Sequence, residues 1–187
     1  MDKILVKDLM VPLDEYASVS HEATLYDAVL ALEKAQEEID RTRYSYLHRA
    51  VLVFDENKKI VGKVSQLDAL RALEPKYNQI GEPRSLSLAG FSPNFLKSML
   101  EQYSLLSEPF GEICRKAAQV KVKTFMYTLS EGEYLEENAT LKEAINQFVM
   151  GRHQSLLVKR GETIVGVLRL TDVFKHVFQT MKTTCSI

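Results

Sequence analysis

Val61-Gly62-Lys63-Val64-Ser65-Gln66-Leu67-Asp68 returns as Val165-Gly166-Val167-Leu168-Arg169-Leu170-Thr171-Asp172, each time running into an apolar stretch with helical spacing. The match widens when the chain is slid on itself. At an offset of 116, Val6, Lys7, Met10, Leu13, Glu15, Ala23, Thr24, Leu25 and Ala28 fall on Val122, Lys123, Met126, Leu129, Glu131, Ala139, Thr140, Leu141 and Ala144. At an offset of 104, Leu52, Ile60, Val61, Gly62 and Asp68 fall on Leu156, Ile164, Val165, Gly166 and Asp172. So long a period means two copies of one small domain, and the cleft between two copies is where a ligand is to be sought.

Each copy reads as a strand, a helix, a hairpin and a closing helix. In the first, a lead-in over 3–11 precedes a strand at Tyr16–Ser20, and Thr24 opens a helix with Leu25, Ala28, Val29, Leu32 and Ile39 at helical spacing. The hairpin is Ala50–Phe54 and Ile60–Ser65 around Asp55-Glu56-Asn57-Lys58, and the last helix runs from Gln66 to about Leu73, ahead of Pro75. The second copy has a strand at Tyr134–Glu136, a helix Leu141–Met150, a hairpin Ser155–Lys159 and Ile164–Arg169, and a helix from about Thr171 to Met181. The fold class is therefore α+β, two β-α-β-β-α repeats related by a pseudo-twofold axis. Repeat one spans residues 1–74, a helical insert 75–119, repeat two 120–182 and a tail 183–187.

The fall in offset from 116 to 104 gives repeat one 12 extra residues, within Glu33–Tyr46. This stretch has strong helix formers and no Gly or Pro, so the first helix is expected to continue, adding about 18 Å. It either packs on its own domain or projects as a partner-contacting arm. In the insert, Ser92-Pro93 starts a helix with Phe95, Leu96, Met99, Leu100 and Tyr103 on one face. Ser107-Glu108-Pro109 starts another, with Phe110, Ile113, Cys114 and Ala117 inward.

The motif has a plain physical chemistry. A strand ends, a hydroxyl sits at the turn, and a carboxylate follows on the first turn of a helix. Amides at the helix start and the Ser65 hydroxyl can bind phosphate, and Asp68 can accept from both hydroxyls of a ribose. The same residues also suit a capping box, Ser65 at the N-cap and Asp68 at N3. Arg169 replaces the serine in the second copy while Asp172 stays, so the aspartate answers a need beyond capping. Arg169 brings a guanidinium to where a phosphate would lie. Lys63 lies two positions before Ser65, on the same side of the strand; it reaches either a phosphate or solvent.

These junctions, with Val6-Lys7-Asp8-Leu9-Met10 and Ala23-Thr24-Leu25-x-x-Ala28, resemble the tandem cystathionine beta-synthase (CBS) domain pair, the Bateman module. The resemblance covers about residues 3–73 and 120–181 and leaves the central helices outside it. It implies that Ser65 and Asp68 define one adenosine site and Asp172, with the divergent Arg169, the other. It makes Val19 and Leu135 on the first strands, and Leu52 and Leu156 on the hairpins, walls for adenine. The ligand implied is AMP, ADP, ATP or S-adenosylmethionine, with no cofactor required, and the family's assembly implies a homodimer.

Composition narrows the rest. The 187 residues are 45% hydrophobic and 26% charged, with a net charge of −1 and a pI near 6.4, which leaves no basic surface for nucleic acid. No apolar run suits a membrane span or signal peptide, and Cys114 and Cys185 read as reduced thiols of a cytoplasmic protein. His21, His48, His153 and His176 are scattered; His48 and His153 precede the hairpins at near-equivalent places, one at each cleft mouth. No nucleophile elbow, phosphate loop or zinc spacing is present, so catalysis is not expected. The expected function is a regulatory module that binds an adenosine-containing ligand between the repeats and signals to a protein partner by changing geometry. The alternative is an interaction module that kept the fold and lost the ligand.

Overall fold

The structure is a computed structural model that describes residues 4–80 and 92–184. Residues 81–91 of the insert and the tail with Cys185 lie outside the described residues. The strands are β1 (Val11–Pro12), β2 (Ser18–Ser20), β3 (Ala50–Phe54), β4 (Ile60–Ser65), β5 (Tyr127–Thr128), β6 (Tyr134–Glu136), β7 (Ser155–Arg160) and β8 (Thr163–Arg169). The α-helices are α1 (Leu25–Glu38), α2 (Gln66–Arg71), α3 (Pro93–Gln102), α4 (Phe110–Ala117), α5 (Leu141–Gly151) and α6 (Leu170–Thr184). Thr24 with Asp27, and Thr140 with Glu143, cap α1 and α5 with reciprocal side-chain and backbone bonds, so the Thr-Leu signature marks both helix starts.

The two repeats exchange their lead-ins. One four-stranded sheet has the order β1-β8-β7-β6 and the other β2-β3-β4-β5, so the short strand that precedes each repeat completes the sheet of the other. The pseudo-twofold axis is visible bond by bond. The Val6 amide donates to the Ala139 carbonyl at 2.9 Å and the Val122 amide to the Ala23 carbonyl at 2.8 Å.

The repeated glycine is explained by this exchange. A Cβ on Gly62 would come within 2.8 Å of the Tyr127 carbonyl oxygen and 2.9 Å of Met126 Sδ. A Cβ on Gly166 would come within 2.6 Å of the Val11 carbonyl oxygen and 2.9 Å of Met10 Sδ. The repeated Met and the repeated Gly are two sides of one contact.

Three of the apolar clusters belong to the repeats and the seam between them. Val19, Ala28, Val51, Val53 and Val64 form the core of repeat one, and Phe148, Leu156, Val158, Leu168 and Val173 that of repeat two. Between the sheets lie Val11, Tyr16, Ile39, Tyr44, Leu52, Leu157 and Val167. This partition divides the four expected adenine walls: Leu52 lies in the inter-repeat cluster, and Val19, Leu135 and Leu156 lie with the two cores. Ser18 pairs with Leu52 and Tyr134 with Leu157, so the first hairpin strand repeats at 105, not 104. A slip of one residue turns a side chain to the other face of its sheet. Leu156 therefore belongs to the repeat-two core, and Leu157 is the counterpart of Leu52 at the interface. Val19 and Leu135 pack with the cores away from the interface, leaving Ser18 and Tyr134 as the interface-facing positions by alternation.

The same offset divides the extra residues of repeat one. Eleven precede the hairpin and one lies in its turn. They do not form a longer arm: α1 stops at Glu38, because Ile39 takes an extended conformation (φ −62°, ψ 131°) and is buried in the interface. Asp40 then fixes a turn by accepting from the Thr42 amide at 2.8 Å and its hydroxyl at 2.6 Å. The chain folds back, and Tyr44 is buried at 5% exposure. Apolar burial of Ile39 and Tyr44 outweighs the helix propensity of the residues between them.

In the insert, Ile113 and Ala117 of α4 are buried, the latter against Leu25 and Ala72, whereas Phe110, expected inward, is exposed. The Leu25 and Tyr26 amides donate to the Val120 and Ala118 carbonyls, tying the insert to the start of α1. No described helix is long and apolar enough to cross a membrane.

Candidate functional site

The two motif aspartates sit in different chemistry. Asp68 and Ser65 form a reciprocal cap at the start of α2. The Ser65 amide and hydroxyl donate to Asp68 Oδ2 at 2.9 and 2.6 Å, and the Asp68 amide donates back to Ser65 Oγ at 3.2 Å. The Gln66 amide donates to the Arg49 carbonyl, as the Leu170 amide does to Gln154, so both helix starts are held by the strand-entry loop beside them.

Lys63, two positions earlier on β4, crosses to the other repeat. Its Nζ lies 2.5 Å from Glu133 Oε1 and 3.5 Å from Ser155 Oγ. Glu133 is 1% exposed, and its second oxygen accepts from the Ser130 amide at 3.1 Å. Burial pushes the Glu133 carboxyl up, but the bonds from Lys63 and Ser130 outweigh it and hold the pKa below the usual carboxylate value. His153 Nδ1 stands 4.0 Å from Glu133. Lys63 is thus an inter-repeat ion pair, neither a solvent-facing side chain nor one aimed at its own repeat's helix.

Around Asp172 the motif is closed on itself. Arg169, 4% exposed, donates from Nε to Asp172 Oδ2 at 2.5 Å and from Nη2 to Oδ1 at 2.8 Å. Its Nη1 donates to the Tyr46 carbonyl at 3.0 Å and lies 3.3 Å from His48 Nδ1, and the Tyr44 ring faces the guanidinium carbon at 5.2 Å. The fold-back segment is held in turn by Glu15, which accepts from the Tyr44 hydroxyl at 2.8 Å and from Arg43 at 2.7 Å. His48 is 1% exposed, edge-on to Tyr16 at 4.6 Å, and its carbonyl accepts from Gln36 at 2.6 Å. Burial and then the Arg169 charge push His48 down to about 4, so the ring is neutral and its Nδ1 accepts from Arg169. Burial likewise pushes the Tyr16 hydroxyl up to about 12.

The loops thus bring motif and opposite repeat together crosswise: Arg169 and Asp172 with Tyr16, Tyr44, Tyr46 and His48; Lys63 with Glu133, Ser155 and His153. His48 and His153 are equivalent at the offset of 105, as their placement before the hairpins suggested. Glu133, Tyr44 and Tyr46 carried no legible signal beyond the length of the insertion. A crevice of about 540 Å³ lies between α1 and the fold-back, lined by Glu15, Tyr16, Lys34, Arg43, Tyr44 and His48 among others. Its pseudo-twofold counterpart, about 560 Å³ and more open, is lined by Gly132, Glu143, Asn146, Gln147, Met150, Gly151 and His153. Both are in the size range of small-molecule sites, and neither lining includes a motif aspartate. Among the described residues no group of three or more His, Cys, Asp or Glu could hold a metal.

Comparison with solved structures finds the same architecture at low sequence identity. A CBS domain-containing protein of unknown function from Bacillus anthracis is 18% identical with a TM-score of 0.60, covering 95% of this chain and 94% of its own. A putative acetoin utilization protein (AcuB) from Vibrio cholerae is 19% identical with a TM-score of 0.58, covering 100% and 98%. CBSX2, solved in complex with AMP, is 17% identical with a TM-score of 0.55, covering 94% and 97%. No curated protein matches the chain. The family model of the CBS domain matches residues 6–75 and 130–179, more than half the sequence and once in each repeat, and the chain belongs to the CBS domain family as a tandem pair.

Proposed function

We propose that this tandem CBS pair is a regulatory module, not an enzyme, and that it binds an adenine nucleotide at the junction built around Ser65 and Asp68. The observation that carries this is the state of that motif. Among the described residues its carboxylate accepts only from its own helix cap, and Lys63, two positions before Ser65, is held by Glu133 through a bond that a phosphate would have to displace. The AMP bound by CBSX2, a protein of the same fold, supports the ligand class. A phosphate at Lys63 competes with Glu133, so an anionic ligand favours one inter-repeat arrangement over another, which is how binding becomes a signal.

Homodimer assembly is part of the proposal. Apolar side chains stand exposed at equivalent places on both repeats: Val29 (48%) and Ile145 (36%) on α1 and α5, Leu70 (62%) and Phe174 (62%) on α2 and α6. Monomers rarely leave so much matched apolar surface bare. The described thiol, Cys114, is free, in keeping with a cytoplasmic protein, and the insert offers α3 to a protein partner. The second reading, an interaction module without ligand, is favoured by one observation, the closed Arg169–Asp172 pair.

Calorimetric titration with AMP, ADP, ATP and S-adenosylmethionine separates the two. The nucleotide reading expects saturable binding that Asp68→Ala abolishes. No heat and no shift in melting temperature with any of the four leaves the interaction module standing.

A further inference from the structure

The Asp172 junction carries a molecule's worth of contacts without a ligand. A ribose offers a carboxylate two hydroxyl donors side by side. Arg169 offers two N–H donors side by side, and both Asp172 oxygens already accept them. The motif hydroxyl that would donate to a phosphate is replaced by Arg169, whose guanidinium is bound to that carboxylate and to the Tyr46 carbonyl. The base would need an open slot, but Tyr44 and His48 touch Arg169 on one side and line the 540 Å³ crevice on the other, dividing crevice from motif.

We infer that Arg169 is a built-in occupant of the second cleft, held there by the Tyr44–His48 segment, so that this chain takes one nucleotide per module at the Asp68 junction and none at Asp172. The inference deepens the proposed function and rests on its ligand class. The occupant arises from two changes that make sense only together. An arginine in the serine position pairs with Asp172 through Nε and Nη2, and its own motif supplies no acceptor for Nη1. The eleven extra residues before β3, anchored by Ile39 and Glu15, carry the Tyr46 carbonyl and the Tyr44 ring to it. Jointly they satisfy each other: the Tyr46 carbonyl and His48 Nδ1 accept from Nη1, and the Tyr44 ring covers the guanidinium face. Repeat two has no such segment, and Ser65 is too short to reach across. The closed cleft then serves as a fixed joint, and any motion on ligand binding occurs at the Lys63–Glu133 side.

The experiment is equilibrium dialysis of labelled AMP against the full chain, with hydrogen exchange read by mass spectrometry on the same samples. Wild type is expected to hold one equivalent per chain, and AMP to protect residues 65–68 while leaving 44–48 and 169–172 unchanged. Arg169→Ser, which restores the motif serine and frees Asp172, is expected to gain one further equivalent. Two equivalents in wild type, or AMP-dependent protection at 169–172, overturns the inference while leaving the proposed function intact. If wild type binds none and Arg169→Ser binds one, the Asp68 reading fails and the occupant is upheld. If folded Arg169→Ser gains nothing, Arg169 is not what closes the cleft. Should that variant not fold, the exchange pattern of wild type decides alone.

Discussion

The two motif junctions read as copies and carry their cations differently. At the first, Lys63 reaches across to a glutamate of the other repeat and leaves Asp68 to its helix cap. At the second, Arg169 turns on the aspartate of its own motif and draws the other repeat's loop over the pair. One junction joins the repeats through a single lysine–glutamate bond. The other joins them through an arginine that also occupies both oxygens of its own motif's carboxylate. A duplicated motif therefore marks equivalent places in the fold, and the residues that face each copy decide what contacts it keeps.

The sharpest way to break this contrast is to remove each aspartate in turn. Asp172→Ala leaves a buried guanidinium without its carboxylate, and a loss of about 3–5 kcal/mol in urea unfolding is expected. Equal losses from the two Asp→Ala variants would erase the proposed asymmetry. The glycines supply the opposite control, because their contacts are the same in both repeats. Gly166→Ala and Gly62→Ala are each expected to lose roughly 1–3 kcal/mol, since the Met side chain can shift but the backbone carbonyl packed there cannot retreat without parting a β-pair.

The third test is acid. His48 titrates near 4 in the folded chain against 6.5 when unfolded, so between these values the unfolded chain holds a proton the folded one does not. Stability is full above about pH 6.5 and falls towards pH 4, by roughly 1–2 kcal/mol after allowing for screening by solvent. Arg169, Asp172 and Glu15 all face the ring, so the slope belongs to the closed junction. His48→Gln should flatten that slope; an unchanged one assigns the acid lability elsewhere. The smallest effect is expected at Asp68. Asp68→Ala removes a cap and costs about 1 kcal/mol, yet it is the variant expected to lose nucleotide.

Much of the fold was legible from the repeat. The hairpin strands Ala50–Phe54 and Ile60–Ser65, the strand Tyr134–Glu136 and the helix starts at Thr24 and Thr140 all follow from alternation and capping. What went astray did so for physical reasons. The helix after Leu25 stops at Glu38 because Ile39 and Tyr44 are drawn into a core that forms only when the second repeat is present. Leu156 aligns with Leu52 by identity, but the hairpin turn of repeat two is one residue shorter, which shifts the offset between its two strands. That shift, invisible as identity, turns a side chain from interface to core.

The sequence by itself determined the duplication, the order of elements and the positions of both aspartates, because these rest on local periodicity, caps and identities repeated at fixed spacing. It held the Met10–Gly166 and Met126–Gly62 pairs as well, though only as two separate coincidences. The tertiary structure decided that the lead-in strands cross over, that Lys63 belongs to Glu133, and that Arg169 belongs to Asp172 beneath Tyr44. Apart from the Arg169–Asp172 pair itself, three positions apart, those choices are partnerships between residues 64 to 156 positions apart. Burial sets their strength, and burial exists only once the two repeats have closed on each other.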